Sequence, residues 1–290
     1  MSKKVNAIVI SASSDIAGAI CKDWSARGWN VYGTYRSPSP LVEELTRDSN
    51  TRLVQCDLLD VKSVDTACVT LASLCPQWDV LLIAPARQEP VGDFHEVNFD
   101  EWEEGVQLNL LRQLRILHKL LPHRNLKTSL PEPCVLFFAG GGTNNAVVHY
   151  SSYTLSKIAL IKMMELLDAE LPDTRFVIVG PGWVKTKGHL PTLRMGAKHA
   201  GANYQKTLDK LNSNECTPMD QVVSCCNWLA TTPCKAVKGR NFSVVFDKWG
   251  SSELEQALET DPNMYKLRRH KNLWSSSSLI ESMNRSNTFQ

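Results

Sequence analysis

A chain of 290 residues with a formal net charge of +2 is long enough to bury one large core, and no break in composition divides it in two. No basic run interleaves with aromatics and no apolar run approaches about 18 residues, while Met-Ser-Lys-Lys leads directly into a strand pattern. These features argue against nucleic acid, a membrane or a secretory leader, and leave a small molecule as the expected partner of a cytoplasmic protein. The nine cysteines include no C-x-x-C pair and several lie in apolar runs, so free thiols and no metal site are expected.

Residues 5–10 form a β-branched run suited to a strand buried on both faces. Ser11-Ala-Ser13-Ser14-Asp15-Ile16-Ala follows and opens a helical pattern reaching about Arg27. Strand, small-residue turn and helix N-terminus together make an anion site, because free N–H groups and the helix dipole converge there. Ser13 or Ser14 is expected to cap the helix, with Asp15 in its first turn. A second strand, 30–35, ends in Tyr35-Arg36-Ser37. In a doubly wound sheet this strand end lies beside the adenosine ribose, where an acid selects NAD and an arginine holds a 2′-phosphate. Arg36 therefore points to NADP.

A helix over about 40–48 leads to a strand-like segment, 51–58, closing in Asp57-Leu58. An amphipathic stretch, 61–74, precedes the strand 79–84, so strands and helices alternate as parallel pairing with right-handed crossovers requires. After an irregular loop, one helix is expected over 99–121, carrying Asn109 in Gln-Leu-Asn-Leu-Leu. Most buried asparagines are hydrogen-bonded structural residues. The strand 134–139 runs into three glycines, 140–142, and Thr143, a bare backbone that permits close approach.

The next helix, extending to Leu171, holds Tyr153 and Lys157. Residues four apart share a helix face, so phenol and ammonium project together. A nearby cation favours the phenolate, and lowering a tyrosine pKa from about 10 to about 7 takes roughly 4 kcal/mol. Such a phenol could exchange a proton with a carbonyl, although the pair also arises by chance on many helices. This helix is apolar almost all round, which predicts a partner subunit and hence a homodimer or homotetramer. A strand over 175–180 closes in Pro181-Gly182-Trp-Val184-Lys-Thr186. The polar, weakly periodic stretch 187–218 is expected to be a substrate lid. A helix over 220–230, a last strand over 241–246 and a tail over 251–290 complete the chain, the Ser/Asn-rich end 275–290 expected to be disordered.

In order and spacing these motifs resemble the short-chain dehydrogenase/reductases. Tyr153 and Lys157 are similar to that family's Tyr-x-x-x-Lys pair, Asn109 to its middle-helix asparagine, Asp57-Leu58 to its adenine-binding acid, and Pro181-Gly182 with Thr186 to its nicotinamide-side segment. The resemblance implies a single Rossmann-type α/β domain over 1–250, with a doubly wound parallel sheet in three layers. It also implies a dinucleotide held by Ser11, Ser13, Ser14, Asp15, Ile16, Arg36, Ser37, Asp57, Leu58, Ala84, Lys157, Pro181, Gly182, Val184 and Thr186. Three places depart from the family pattern. Ser11, Asp15 and Ala17 stand for the glycines of Gly-x-x-x-Gly-x-Gly, and a serine at the tightest point requires negative φ or strain. Ile83-Ala84-Pro85-Ala86 replaces Asn-Asn-Ala-Gly. Counting thirteen residues back from Tyr153 reaches Gly140, where the family has its catalytic serine, and a missing oxyanion donor costs on the order of 10²–10³ in rate. Thr143, Ser151, Ser152 or a bound water are the candidate replacements, and Gly140→Ser should raise turnover if only that donor is lacking and lower it if the substrate needs the bare backbone to approach.

The expected activity is NADP(H)-dependent hydride transfer to or from a carbonyl or alcohol of a polar small molecule, a sugar derivative being one candidate. Tyr153 would move the proton, Lys157 support it, Asn109 order a water relay and Thr143 stand in for the serine. The alternative is a non-catalytic dinucleotide-binding sensor or scaffold, and a lyase or epimerase is a third possibility on the same fold.

Overall fold

Residues 4–269 are described in the computed structural model of the protein. Seven parallel strands form one sheet: β1 (Asn6–Ile10), β2 (Asn30–Tyr35), β3 (Thr51–Gln55), β4 (Val80–Ile83), β5 (Cys134–Phe138), β6 (Arg175–Gly180) and β7 (Arg240–Ser243). Their order is β3-β2-β1-β4-β5-β6-β7, with Ile8 in register with both Tyr32 and Leu81. The chain reverses its direction of travel between β1 and β4, and a doubly wound sheet opens its ligand cleft beyond the strand C-termini at that point.

Period-two burial divides the core into two layers. Ala7, Val9, Val80, Leu82, Leu136, Val177 and Val179 face a cluster with Ile20 and Trp24 of α1 (Asp15–Ala26). The same cluster takes in Val222 and Leu229 of α9 (Met219–Thr231) and Leu254 and Leu258 of α10 (Ser252–Thr260). Ile8, Ile10, Leu81, Ile83, Val135, Phe137 and Ile178 face the other way. They meet α3 (Val61–Leu74), α5 (Arg112–Leu120) and α6 (Ser151–Glu170). Each such aliphatic side chain contributes about 1.5–3 kcal/mol when fully buried. The indole N–H of Trp24 donates to Asn227 at 2.7 Å and that of Trp78 to the Leu120 carbonyl at 2.7 Å, so each layer also carries a directional tie.

Among the remaining elements are α2 (Pro40–Arg47) and α4 (Phe99–Val106), capped by the side chains of Ser39 and Asn98. Three expectations are corrected here. The helix expected over 99–121 is two helices joined by a π turn, Gln107–Leu111, centred on Asn109. A π turn inserts one residue without disturbing the apolar pattern enough to betray it. The stretch expected as a loop over 187–218 is mostly helical, with a 3₁₀ turn (Lys187–His189), α7 (Leu190–Ala200) and α8 (Ala202–Asn212). Gly196 at φ 70° and Gly201 at φ 56° break it into lengths too short and polar to show periodicity. The packed domain also continues past residue 250. Leu254 and Leu258 enter the core, and the Arg240 guanidinium donates to the carbonyls of Leu258 at 2.7 Å and Asp261 at 3.0 Å. The expectation for 275–290 lies outside the described residues. No described helix is long and apolar enough to cross a membrane, and no described group of His, Cys, Asp and Glu gathers as a metal site.

Candidate active site

Every residue singled out from the sequence lies at or just beyond the C-terminal end of a strand, or on a helix that packs there. At the end of β1 the chain turns through Ser11 with φ 64°, so the serine takes the left-handed conformation rather than avoiding it. That conformation costs about 1–2 kcal/mol in a residue with a Cβ. The backbone N–H of Ser11 donates to the Thr34 hydroxyl at 2.9 Å, and its carbonyl accepts from Ser14 N at 2.9 Å, which offsets part of the strain. A Cβ on Gly33 would lie 2.9 Å from Ala12 Cβ, so β2 can approach this turn only through a glycine.

Ser14 occupies the N-cap of α1, but its side chain makes no capping bond; the expected hydroxyl cap is absent. The first amides of α1 are thereby left to an incoming acceptor, with Ile16 packed underneath against the core. Arg36 and Ser37 are exposed beyond β2, and the Arg36 guanidinium hydrogen-bonds no described residue. Asp57 is exposed beyond β3, one carboxylate oxygen accepting from Leu59 N at 3.0 Å, while Leu58 is buried. Ala84 is buried and continues the ladder through Ile10 O. Beyond β6, Gly182 has φ 75°, and a side chain there would collide with Thr217 and Val245. Pro181 and Thr186 flank it and Val184 is buried. Free first-turn amides, a small-residue turn and an uncommitted arginine suit a phosphate-bearing dinucleotide across this cleft.

One turn apart on α6 stand Tyr153 and Lys157. Lys157 is fully buried, and its ammonium donates to Phe138 O at 3.0 Å, at the last residue of β5, and to Pro85 O at 3.3 Å, just past β4. Burial lowers its pKa from 10.5 to about 7. Its Nζ lies 5.9 Å from the centre of the Tyr153 ring. The phenol is pushed up to about 12 by burial, the reverse of the lowering expected from a helix-spaced cation. Desolvation prevails because the ammonium faces strand-end carbonyls rather than the phenol oxygen. Asn109 is fully buried and clamps one backbone unit from both sides: its Oδ1 accepts from Arg87 N at 2.8 Å and its Nδ2 donates to Arg87 O at 2.7 Å. The bond holds the segment after β4 beside Lys157.

With these groups in place the relatives can be compared. A model of enoyl-(acyl carrier protein) reductases matches residues 10–245. The chain belongs to the short-chain dehydrogenase/reductase family. It is 27% identical over 189 residues to the 3-ketodihydrosphingosine reductase TSC10 of Candida glabrata, a match covering 64% of this chain and 50% of that protein. The chain thus spans about half the length of the curated relative it matches. A short-chain dehydrogenase/reductase from Saccharomyces cerevisiae superimposes with a TM-score of 0.75 at 19% identity, over 85% of this chain and 98% of that one. An actinorhodin polyketide ketoreductase solved with NADPH gives 0.70 at 18%, over 84% and 97%. At such identities the solved structures establish the fold alone. The family is one of nicotinamide-binding oxidoreductases.

The place of the family's serine is crowded in a way the sequence conceals. A Cβ on Gly140 would lie 2.8 Å from Tyr153 Cε1, 2.9 Å from the phenol oxygen and 3.0 Å from Lys157 Cγ. Tyr153 leans into the space a serine would fill. Gly140→Ser is therefore an overpacking change, and the expected gain in turnover is withdrawn. The proposed stand-ins do not gather there. Thr143 is exposed and hydrogen-bonds no described residue; Ser151 Oγ accepts from the Trp102 indole at 2.9 Å; Ser152 Oγ is buried toward Gly105 of α4.

Sequence reasoning also missed a polar chain above the phenol. The Tyr150 hydroxyl pairs with Thr192 Oγ1 of α7 at 2.7 Å, and Thr192 Oγ1 donates to Gln88 Oε1 at 3.2 Å. Around it Tyr150, Val91 and Ala200 pack with Tyr153 and Tyr204, so α7 and α8 close directly on the N-terminal end of α6. Three segments distant in sequence supply these residues, and no spacing relates them. Two open clefts, of about 500 and 410 Å³, lie elsewhere, on α8 and at the edge formed by Lys235, Arg240 and Lys266.

Proposed function

We propose that the protein is an NADP(H)-dependent oxidoreductase that reduces a carbonyl on a polar small molecule. The observation that carries this reading is the Tyr153 phenol, set over the bare Gly140 backbone with Lys157 one helical turn behind, at the mouth of the doubly wound cleft. The phenol is protonated at neutral pH and can donate to a developing alkoxide, a far stronger base, although burial, by pushing its pKa up to about 12, makes it a weaker acid than a solvated tyrosine. The nicotinamide, when bound, supplies the hydride. Arg36, exposed and uncommitted past β2, is the group for a 2′-phosphate, and the ketoreductase solved with NADPH supports the same choice. Asp57 and Leu58 would border the adenine; Ser11, Ser13, Ser14, Asp15 and Ile16 the phosphates; Ala84, Pro181, Gly182, Val184 and Thr186 the nicotinamide side. The Lys157 amine, changing charge near neutrality, would turn from its carbonyl partners to return the proton through a water ordered at the π turn of Asn109. Thr192 of the lid and Gln88 of the loop after β4 would meet the polar part of the substrate.

A non-catalytic dinucleotide sensor is the competing reading, favoured by Tyr153's intrusion on the serine position. Tyr153→Phe separates the two. For the oxidoreductase, turnover of a carbonyl panel with NADPH should fall by about 10²–10⁴ while NADPH affinity stays within about twofold. Retained turnover, or a sensor phenotype in cells unchanged by Tyr153→Phe and lost on Arg36→Ala, overturns the oxidoreductase reading.

A further inference from the structure

Asp15 is the first residue of α1, at the dinucleotide turn, and its carboxylate is committed to a segment 172 residues away. Its Oδ2 accepts from the backbone N–H of Lys187 at 2.7 Å, and its Oδ1 lies 3.3 Å from Lys187 Nζ. Lys187 opens the 3₁₀ turn that feeds α7. This entry is stiff: the Trp183 indole stacks on the His189 ring at 4.6 Å and 4°, and His189 Nε2 is 2.9 Å from Val184 O. One turn further on, Thr192 of α7 reaches Tyr150 and Gln88, and Ala200 packs into the cluster that holds Tyr153. Fixing Lys187 on Asp15 therefore sets where the lid rests on the catalytic tyrosine.

The anchor stands where an anion would be received. The first amides of α1 lack a side-chain cap and the dipole of the helix is positive there, so a phosphate and the Asp15 carboxylate draw on the same field. The carboxylate bonds to Lys187 and to none of those amides, so a phosphate received there would set a second negative charge beside the Asp15–Lys187 pair, and the Lys187 ammonium could turn from one anion to the other.

We propose that Asp15 is the catch of the lid: it holds Lys187, and with it α7, over Tyr153 while the turn is free of phosphate, and the pyrophosphate of an arriving dinucleotide displaces it. The competition part of this proposal rests on the function proposed above. Its consequence is an enzyme whose lid loosens when cofactor docks, at the expense of cofactor affinity.

Hydrogen exchange followed by mass spectrometry over the lid peptides, with dinucleotide affinity measured in parallel, tests the catch. In wild type without ligand the Lys187 segment should exchange slowly, and NADPH or inorganic pyrophosphate should speed it. Asp15→Gly should exchange fast with no ligand present and bind NADPH about 2–30-fold more tightly, the range for a charge at a helix N-terminus. Asp15→Asn keeps an acceptor for the Lys187 amide and loses the charge, so it should share the gain in affinity yet retain much of the protection. Unchanged lid exchange in Asp15→Gly overturns the catch, and so does faster exchange with no gain in affinity. Failure of NADPH to bind wild type and both variants removes the proposed function instead; the catch then stands only if pyrophosphate speeds lid exchange in wild type, and falls if it does not.

Discussion

Replacing Lys157 with methionine should stabilise the protein and eliminate its turnover. The side chain is fully buried, and burial moves its pKa from 10.5 to about 7. At about 1.4 kcal/mol per unit, the folded state carries a desolvation cost of roughly 4–5 kcal/mol at neutral pH. Methionine fills similar space without charge, but it leaves the Phe138 carbonyl without its 3.0 Å donor. An unpaired buried acceptor costs about 1–3 kcal/mol, so the net gain should be about 1–4 kcal/mol. The folded pKa lies below the unfolded one, so between 7 and 10.5 the unfolded chain binds more protons. Wild-type stability therefore rises with pH across that window, and the advantage of methionine shrinks over the same interval. Urea unfolding of both proteins near pH 7 and near pH 10 measures the difference through the midpoint at constant slope. A variant less stable than wild type at neutral pH, or a gain that does not change with pH, refutes the view that this amine is kept buried at a cost that function justifies.

Gly140→Ser should push Tyr153 out of place, lowering stability by about 1–3 kcal/mol and turnover with it; a faster enzyme of unchanged stability would show that the phenol has room to yield. Arg36→Ala should abolish a preference for NADPH over NADH and leave NADH affinity unchanged, as titration of both cofactors in both proteins would show; equal affinities in wild type contradict the role given to Arg36. Leu155 and Leu166 are 52% and 46% exposed on one face of α6, and Leu111 of the adjoining π turn is 50% exposed, so a homodimer or homotetramer covering that face is expected; sedimentation as a monomer at micromolar concentration rules it out.

The layered α/β architecture was legible in the residues because its signals are local. The β-branched runs ending at Ile10, Tyr35 and Gly180, and the amphipathic stretch 61–74, specify their elements by periodicity and by the turn residues that bound them. The Tyr153–Lys157 pair could be read as well, since helix geometry alone puts residues four apart on one face. Tertiary structure decided what that spacing could not. The pKa of the phenol depends on which groups the ammonium faces, and those are carbonyls contributed by the end of β5 and the chain past β4. The missing serine reads in sequence as a lost donor, whereas in space it is a position taken by the tyrosine ring, because only packing reveals that the two side chains would compete. Ser11 could be flagged as improbable at its turn, but its left-handed φ is sustained by Thr34, on another strand. The lid read as a loop because two glycines interrupt short polar helices whose apolar partners, Tyr150 and Tyr153, lie on a different element. Asp15 looked like an ordinary first-turn acid; its partner Lys187 stands 172 residues away, and a long-range hydrogen bond leaves no period in the chain to be read.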